Sequence, residues 1–166
     1  MFRVSWVLTD ALAVGPAPRA ERHLDRLEDE GVKAVLSLAS ADEAPLPLGI
    51  EERFAWRRLV LPDHRSERLV QPDELAQALV LLEDLSKFGP TFVHCVAAME
   101  RSPLVCLAWL MRERSLSRDQ ALDYLMQVHP GTNPLPSQLS VLQKIFSTKS
   151  SEKYSQINTS NSRSFF

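Results

Sequence analysis

The sequence has little cysteine, little glycine and almost no imbalance of charge. Of its 166 residues only Cys95 and Cys106 are cysteines. Two are too few for a disulfide framework, so both are expected as free thiols. Five glycines exclude collagen-like and glycine-rich low-complexity sequences. Lys and Arg number 19 and Asp and Glu 21, a formal charge of −2, which leaves no global field for holding nucleic acid or an anionic membrane. No apolar run approaches the ~18 residues of a membrane-spanning helix. The opening MFRVSWVLTDALAVG lacks the charged and apolar regions of a secretory signal. A cytoplasmic protein without nucleic-acid or membrane partners is expected, and any anion it handles must be caught locally.

What is present is the composition of a folded domain, 45% apolar and 24% charged. The length suits one domain that buries roughly 70% of its unfolded surface. Strand-like and helix-like patterns alternate, which predicts a layered α/β domain. Short strands are expected over Val4–Leu8 and Leu12–Val14, with a turn at Gly15-Pro16. A helix with Pro18 in its first turn and Leu24 and Leu27 on one face should end at Gly31. VKAVLSL (Val32–Leu38) reads as a buried strand, Ala39–Glu52 as an irregular loop, and Phe54–Leu61 as another strand. A long helix over Pro72–Phe88 precedes a last strand, Thr91–Cys95. Helices follow over Pro103–Arg114, Arg118–Gln127 (with Ser117 and Gln120 as a capping box) and Ser137–Phe146. Residues 1–146 are therefore expected as the domain, and the Ser- and Asn-rich 147–166 as a flexible polar tail.

Chemistry concentrates at TFVHCVAAMERSP, where Arg101 follows Cys95 after five intervening residues at a strand-to-helix junction. The spacing alone is weak, because Cys106 and Arg112 repeat it. Between those two lies a mostly bulky run, Leu107-Ala108-Trp109-Leu110-Met111, inside a predicted helix, so that match is packing. Around Cys95 the context differs, with His94 before it, Ser102 after Arg101, and the small Val96-Ala97-Ala98 between. Requiring His before and Ser or Thr after lowers the chance expectation from roughly 0.17 to about 5 × 10⁻⁴. Such a loop can turn successive backbone N–H groups inward as an anion nest at a helix N-terminus. An arginine adds a fork of donors for two phosphate oxygens. The same surroundings lower a thiol from its ordinary pKa of about 8.5 toward ionisation at neutral pH.

The segment resembles the signature of the cysteine-dependent phosphatases (His-Cys, five residues, Arg, then Ser or Thr), and the layout resembles their small dual-specificity group over residues 4–146. The resemblance implies a single-domain phosphatase-like fold with a central mixed, largely parallel sheet flanked by helices. It also implies hydrolysis of phosphate monoesters, on Tyr and Ser/Thr, through a phosphocysteine, with no metal or cofactor. Carried over by position, Cys95 is the nucleophile, Arg101 the phosphate clamp, Ser102 the hydroxyl that stabilises the departing sulfur, and His94 a brace. Val96, Ala97, Ala98, Met99, Glu100 and Arg101 form the phosphate-binding loop.

Two departures stand out. The family favours glycine where this chain has Ala98, and often at Glu100, because tight loops favour residues without a Cβ; Ala98 is expected to be strained and Glu100 to point outward. A leaving oxygen needs a proton, and two Pro-Asp pairs offer one. Pro72-Asp73 reads as a helix start, which leaves Asp63, after Pro62 in a polar loop, as the expected acid. Arg53, Arg57, Arg58, Arg65 and Arg68 could recruit a phosphorylated partner or form a salt-bridged face. His129–Pro134 matches a supporting turn. The expected partner is a phosphorylated protein or a small phosphorylated molecule, and the expected state a monomer. A catalytically weak phosphate-binding pseudophosphatase module, a phosphatase acting on a small phosphorylated metabolite, and sulfur or arsenate chemistry at Cys95 are the alternatives.

Overall fold

Residues 2–146 of a computed structural model are described; the expected tail over 147–166 lies outside them. Strands β1 (Ser5–Leu8), β2 (Leu12–Gly15), β3 (Ala34–Ser37), β4 (Ala55–Arg58) and β5 (Thr91–His94) form one sheet in the order β1-β2-β5-β3-β4. Only β1 and β2 pair antiparallel; β2-β5, β5-β3 and β3-β4 are parallel. The expected mixed, largely parallel sheet is what forms.

The sheet is covered on both faces, as the near-continuous apolar character of β2, β3 and β5 requires. Ala13, Val35 and Phe92 point to one face and pack with Leu24 and Leu27 of α1 (Glu21–Asp29) and Ile50 of α2 (Ile50–Arg53). Their neighbours Val14, Leu36 and Val93 point to the other. There they meet α3 (Pro72–Ser86), α4 (Arg101–Glu113) and α5 (Arg118–Val128). Leu75, Leu79, Leu82 and Leu85 recur at helical spacing along α3 and are all buried, each contributing on the order of 1.5–3 kcal/mol by leaving water. A last helical stretch covers 136–146. No helix of the described residues is long and apolar enough to cross a membrane.

Several boundaries differ from expectation. The first helix begins at Glu21 rather than Pro18, because Ala20 is still extended at φ −154. It ends at Asp29, and Gly31 follows at φ +82, a left-handed conformation that glycine takes without steric cost. The loop expected to be irregular contains α2, entered through Gly49 at φ +90. Strand β4 is four residues long, half the predicted run. Helix α4 starts at Arg101, two residues before Pro103, so that Arg101 and Ser102 are its first helical residues. The Ser117/Gln120 capping box forms as predicted.

Parallel pairing has one consequence for chemistry. Gly15, Ser37 and His94 sit in register at the carboxyl ends of β2, β3 and β5, and Arg58 beside Ser37 ends β4. The loops that follow these strands gather at one edge of the sheet, where open α/β sheets bind ligands.

Candidate active site

His94 closes β5 and is fully buried. Its Nδ1–H donates to the Cys95 carbonyl at 2.8 Å, which leaves Nε2 to accept from the Ser37 hydroxyl at 2.7 Å. Ser37 Oγ in turn accepts from Trp56 Nε1–H at 3.0 Å. Burial, with the nearby charges of Arg58 and Arg101, pushes the His94 pKa down to about 4. The ring is therefore neutral at pH 7, and this single proton arrangement satisfies every member of the chain. The histidine ties three strands together and fixes where the following residue begins its turn.

After Cys95, the carbonyls of Val96, Ala98, Met99 and Glu100 are engaged by the scaffold. The Val96 carbonyl accepts from Ala17 N–H at 3.0 Å, the Met99 carbonyl from Asn133 N–H at 2.7 Å, and the Glu100 carbonyl from Leu104 N–H at 2.8 Å. His129 Nε2–H donates to the Ala98 carbonyl at 2.8 Å, and the other nitrogen of that ring meets Ser5 Oγ at 3.0 Å. By contrast, no amide N–H from residue 96 to residue 101 has an acceptor among the described residues. Six successive unclaimed donors between Cys95 and the N-terminus of a 13-residue helix are the arrangement that can hold an anion. Ala98 holds φ +57 to make this turn, a left-handed conformation that costs a residue with a Cβ about 1–2 kcal/mol. The expected strain is present, and the bonds from His129 and Asn133 offset it.

Cys95 is free and 4% exposed. It lines a cavity of about 230 Å³ together with Asp63, Arg65, Glu100, Arg101 and the loop residues Val96, Ala97 and Met99. The Ser102 hydroxyl donates to Cys95 Sγ at 3.4 Å. Cys106, the spacing control, is buried in the hydrocarbon between sheet and helices, where burial pushes its thiol pKa well up. Its partner by spacing, Arg112, pairs with Glu113 and Glu83 instead.

Arg101 points inward, 3% exposed, and its surroundings show a residue that the sequence reading did not single out. Glu43 takes one edge of the guanidinium, Oε2 meeting Nη1 at 3.1 Å and Oε1 meeting Nη2 at 3.0 Å. Nη1 also donates to the Leu61 carbonyl at 3.2 Å. A guanidinium has five N–H bonds, so Nε–H and one Nη2–H, the second parallel fork, remain without an acceptor among the described residues. Burial raises the Glu43 pKa, but the bonds from Arg101 and Ser40 prevail and hold it below the usual carboxylate range. A local signal for Glu43 exists in the sequence. Ser40-x-x-Glu43 forms a reciprocal capping pair, Ser40 N–H to Glu43 Oε2 at 3.0 Å and Glu43 N–H to Ser40 Oγ at 3.3 Å.

Asp63 follows Pro62 into the cavity wall, whereas Asp73 lies in the first turn of α3. Asp63 Oδ1 accepts Arg65 N–H at 3.0 Å, and Oδ2 accepts Arg65 Nε–H at 2.8 Å. Burial works to raise its pKa, yet the Arg65 bonds prevail, and the carboxyl is held below its ordinary value. Arg65 also reaches Glu43 at 3.5 Å, so alternating charges link Asp63 to Arg101. A second tie joins the two loops. Glu100 bonds His64 through one oxygen and Gln138 Nε2 at 3.2 Å through the other. Glu100 is thus part of the wall, its carboxylate turned to His64 rather than to solvent.

The arginines around this loop divide. Arg53 pairs with Asp25 and Glu28, Arg65 with Asp63, and Arg68 with Glu74, a salt-bridged face. Arg57 donates to a backbone carbonyl and Arg58 lies over the Trp56 ring at 5.1 Å.

Comparison with known proteins agrees with this geometry. The family model for the dual specificity phosphatase catalytic domain matches residues 14–147. Dual specificity protein phosphatase 1 of Mus musculus is 28% identical over 117 residues, covering 70% of this chain and 30% of its own. Phosphatidylglycerophosphate phosphatase PTPMT2 of Arabidopsis thaliana is 25% identical over 140 residues, covering 82% of this chain and 60% of its own. The crystal structure of Tk-PTP in the active form superposes with a TM-score of 0.73 at 26% identity, covering 86% of this chain and 95% of that one. The chain thus spans about 30% of the length of the dual specificity protein phosphatase 1 sequences it matches. The cysteine loop, the sheet order beneath it and a family match across most of the sequence lead to one conclusion: this chain belongs to the dual specificity phosphatase catalytic domain family.

Proposed function

We propose that the chain hydrolyses phosphate monoesters in two steps through a phosphocysteine at Cys95. The observation that carries this reading is the loop in which every engaged carbonyl bonds to the scaffold and the six amides that follow Cys95 stay unclaimed. A phosphate dianion seated there is held by those amides and by the free Nε/Nη2 fork of Arg101, while Glu43 keeps the opposite edge in place. The Cys95 thiolate attacks phosphorus in line, the ester P–O bond breaks, and Asp63 as the acid gives its proton to the leaving oxygen. Water then attacks phosphocysteine, the ionised Asp63 takes its proton, and the S–P bond electrons return to sulfur, which the Ser102 hydroxyl stabilises. The carboxylate of Asp63 bonded to Arg65 suits this second step.

The same reading makes the protein a cytoplasmic, metal-independent monomer: a thiolate nucleophile needs a reducing compartment, and amides with arginine neutralise the phosphate charge. Its substrates are phosphoproteins, at Tyr and Ser/Thr. A second reading, hydrolysis of a small phosphorylated metabolite, is favoured by the similarity to PTPMT2 across 82% of the chain. The loop 96–100 contains no lysine, which disfavours highly charged inositol phosphates.

The leaving group provides the test. Asp63→Ala is expected to lower kcat by about 10²–10⁴ on an alkyl phosphate, which needs a proton, and much less on an aryl phosphate whose leaving group is already a weak base. Equal losses on both substrates contradict the role of Asp63.

A further inference from the structure

A second cavity, of about 530 Å³, lies between the segment that follows β2 and the first turns of α1. Pro16 and Ala17 form one wall, and the Ala17 N–H that donates to Val96 places this cavity one hydrogen bond from the loop of Cys95. Arg19, Arg22 and Arg26 surround it, Phe2 and His23 stack in its floor with ring centroids 4.3 Å apart, and no carboxylate lines it. Arg19 and Arg22 are exposed and have no ion-pair partner among the described residues; Arg26 reaches Glu30. This differs from the arginines near the acid loop, where Arg53, Arg65 and Arg68 are each answered by carboxylates.

The ligand chemistry follows from spacing and donors. Arg22 and Arg26 stand one turn apart on one face of α1, about 6 Å along the axis, close to two residues of extended chain. Such a row suits acidic side chains on an extended segment better than a single point anion. His23 Nδ1 accepts the Arg19 N–H at 3.0 Å, and burial with the charge of Arg22 lowers its pKa. A ring that accepts through Nδ1 carries its proton on Nε2, a further donor.

We propose that this cavity takes acidic side chains of the polypeptide that flanks the phosphoresidue, so that Arg19, Arg22 and Arg26 select phosphopeptides with Glu or Asp beside the scissile phosphate. The inference rests on the phosphatase reading and names its substrate class. The test uses one phosphotyrosine peptide with a neutral flank, a set in which a single glutamate is moved stepwise along either side, and the matching lysine set. With the full chain, at least one glutamate register should raise kcat/KM about five- to tenfold over the neutral peptide, and added salt should shrink that gain. Arg19→Glu with Arg22→Glu should reverse the preference toward lysine at the same register, a reversal that loss of folding cannot produce. A flat response across all registers, or a charge-reversed chain that still prefers glutamate, overturns the proposal. If no peptide is hydrolysed, the hydrolysis reading fails separately. Calorimetric affinities of the same peptides, with the same expected reversal or its absence, then decide the cavity.

Discussion

Two buried cysteines, each followed by an arginine at the same interval, border one core cluster but differ in what else they meet. Cys106 sits inside α4, fully buried in the core cluster, and Arg112 turns to surface carboxylates. Cys95 sits just before α4, where amides are unclaimed, and Arg101 turns inward beside it. The spacing is common to both, so spacing confers nothing; position relative to the helix start does. A sulfur before the first turn meets N–H donors and the positive end of the helix, whereas a sulfur within it meets only side chains.

The sharpest way to break this comparison is to remove each sulfur. Cys95→Ser is expected to abolish turnover of an aryl phosphate. Cys106→Ser should retain it while losing about 1–3 kcal/mol of stability, because a hydroxyl is buried without a partner; denaturant unfolding and steady-state assays read both. Comparable losses of turnover in the two variants would contradict the account. Next come the arginines. Arg101→Lys, which discards both forks, should lower kcat by about 10²–10³, and Arg112→Lys by less than about twofold.

A smaller effect separates the two loops. Asp63 must be protonated to act as acid, so kcat/KM for an alkyl phosphate falls as pH rises through its pKa. Arg65 lowers that pKa; Arg65→Gln therefore raises it and should move the alkaline limb to higher pH. An unmoved limb, or one displaced downward, would show that Asp63 does not govern it. Smallest is Ala98→Gly. Relief of the left-handed strain of about 1–2 kcal/mol, less the extra freedom of glycine in the unfolded chain, should raise Tm by about 1–3 °C.

Much of the fold was legible because its signals are local. β-Branched runs marked β3 and β5, leucines at helical spacing marked α3, and the Ser117/Gln120 pair marked α5. The loop from Cys95 to Ser102 was legible for the same reason, since its residues adjoin in sequence. Glu43 was not, because it meets Arg101 across 58 positions and no local pattern ties them. Yet a buried arginine demands a carboxylate, and that requirement could have prompted a search. Glu100 likewise turned out to be bonded to His64, 36 positions away, and to Gln138. The start of α1 was misplaced because proline is favoured at a first helical position but does not compel one, and α2 was missed because one turn among Pro45, Pro47 and Gly49 leaves little periodicity to read.

The central claim is that Cys95 Sγ, at the start of its run of free amides, takes the phosphoryl group. Rapid acid quench of the protein turning over an aryl phosphate, followed by peptide mass spectrometry, measures this directly. The account predicts one added phosphoryl group on the peptide carrying Cys95, enriched in Ser102→Ala because sulfur departs more slowly, and none in Cys95→Ser. A phosphoryl group on His94 or another side chain, or turnover without any labelled peptide in Ser102→Ala, would contradict it.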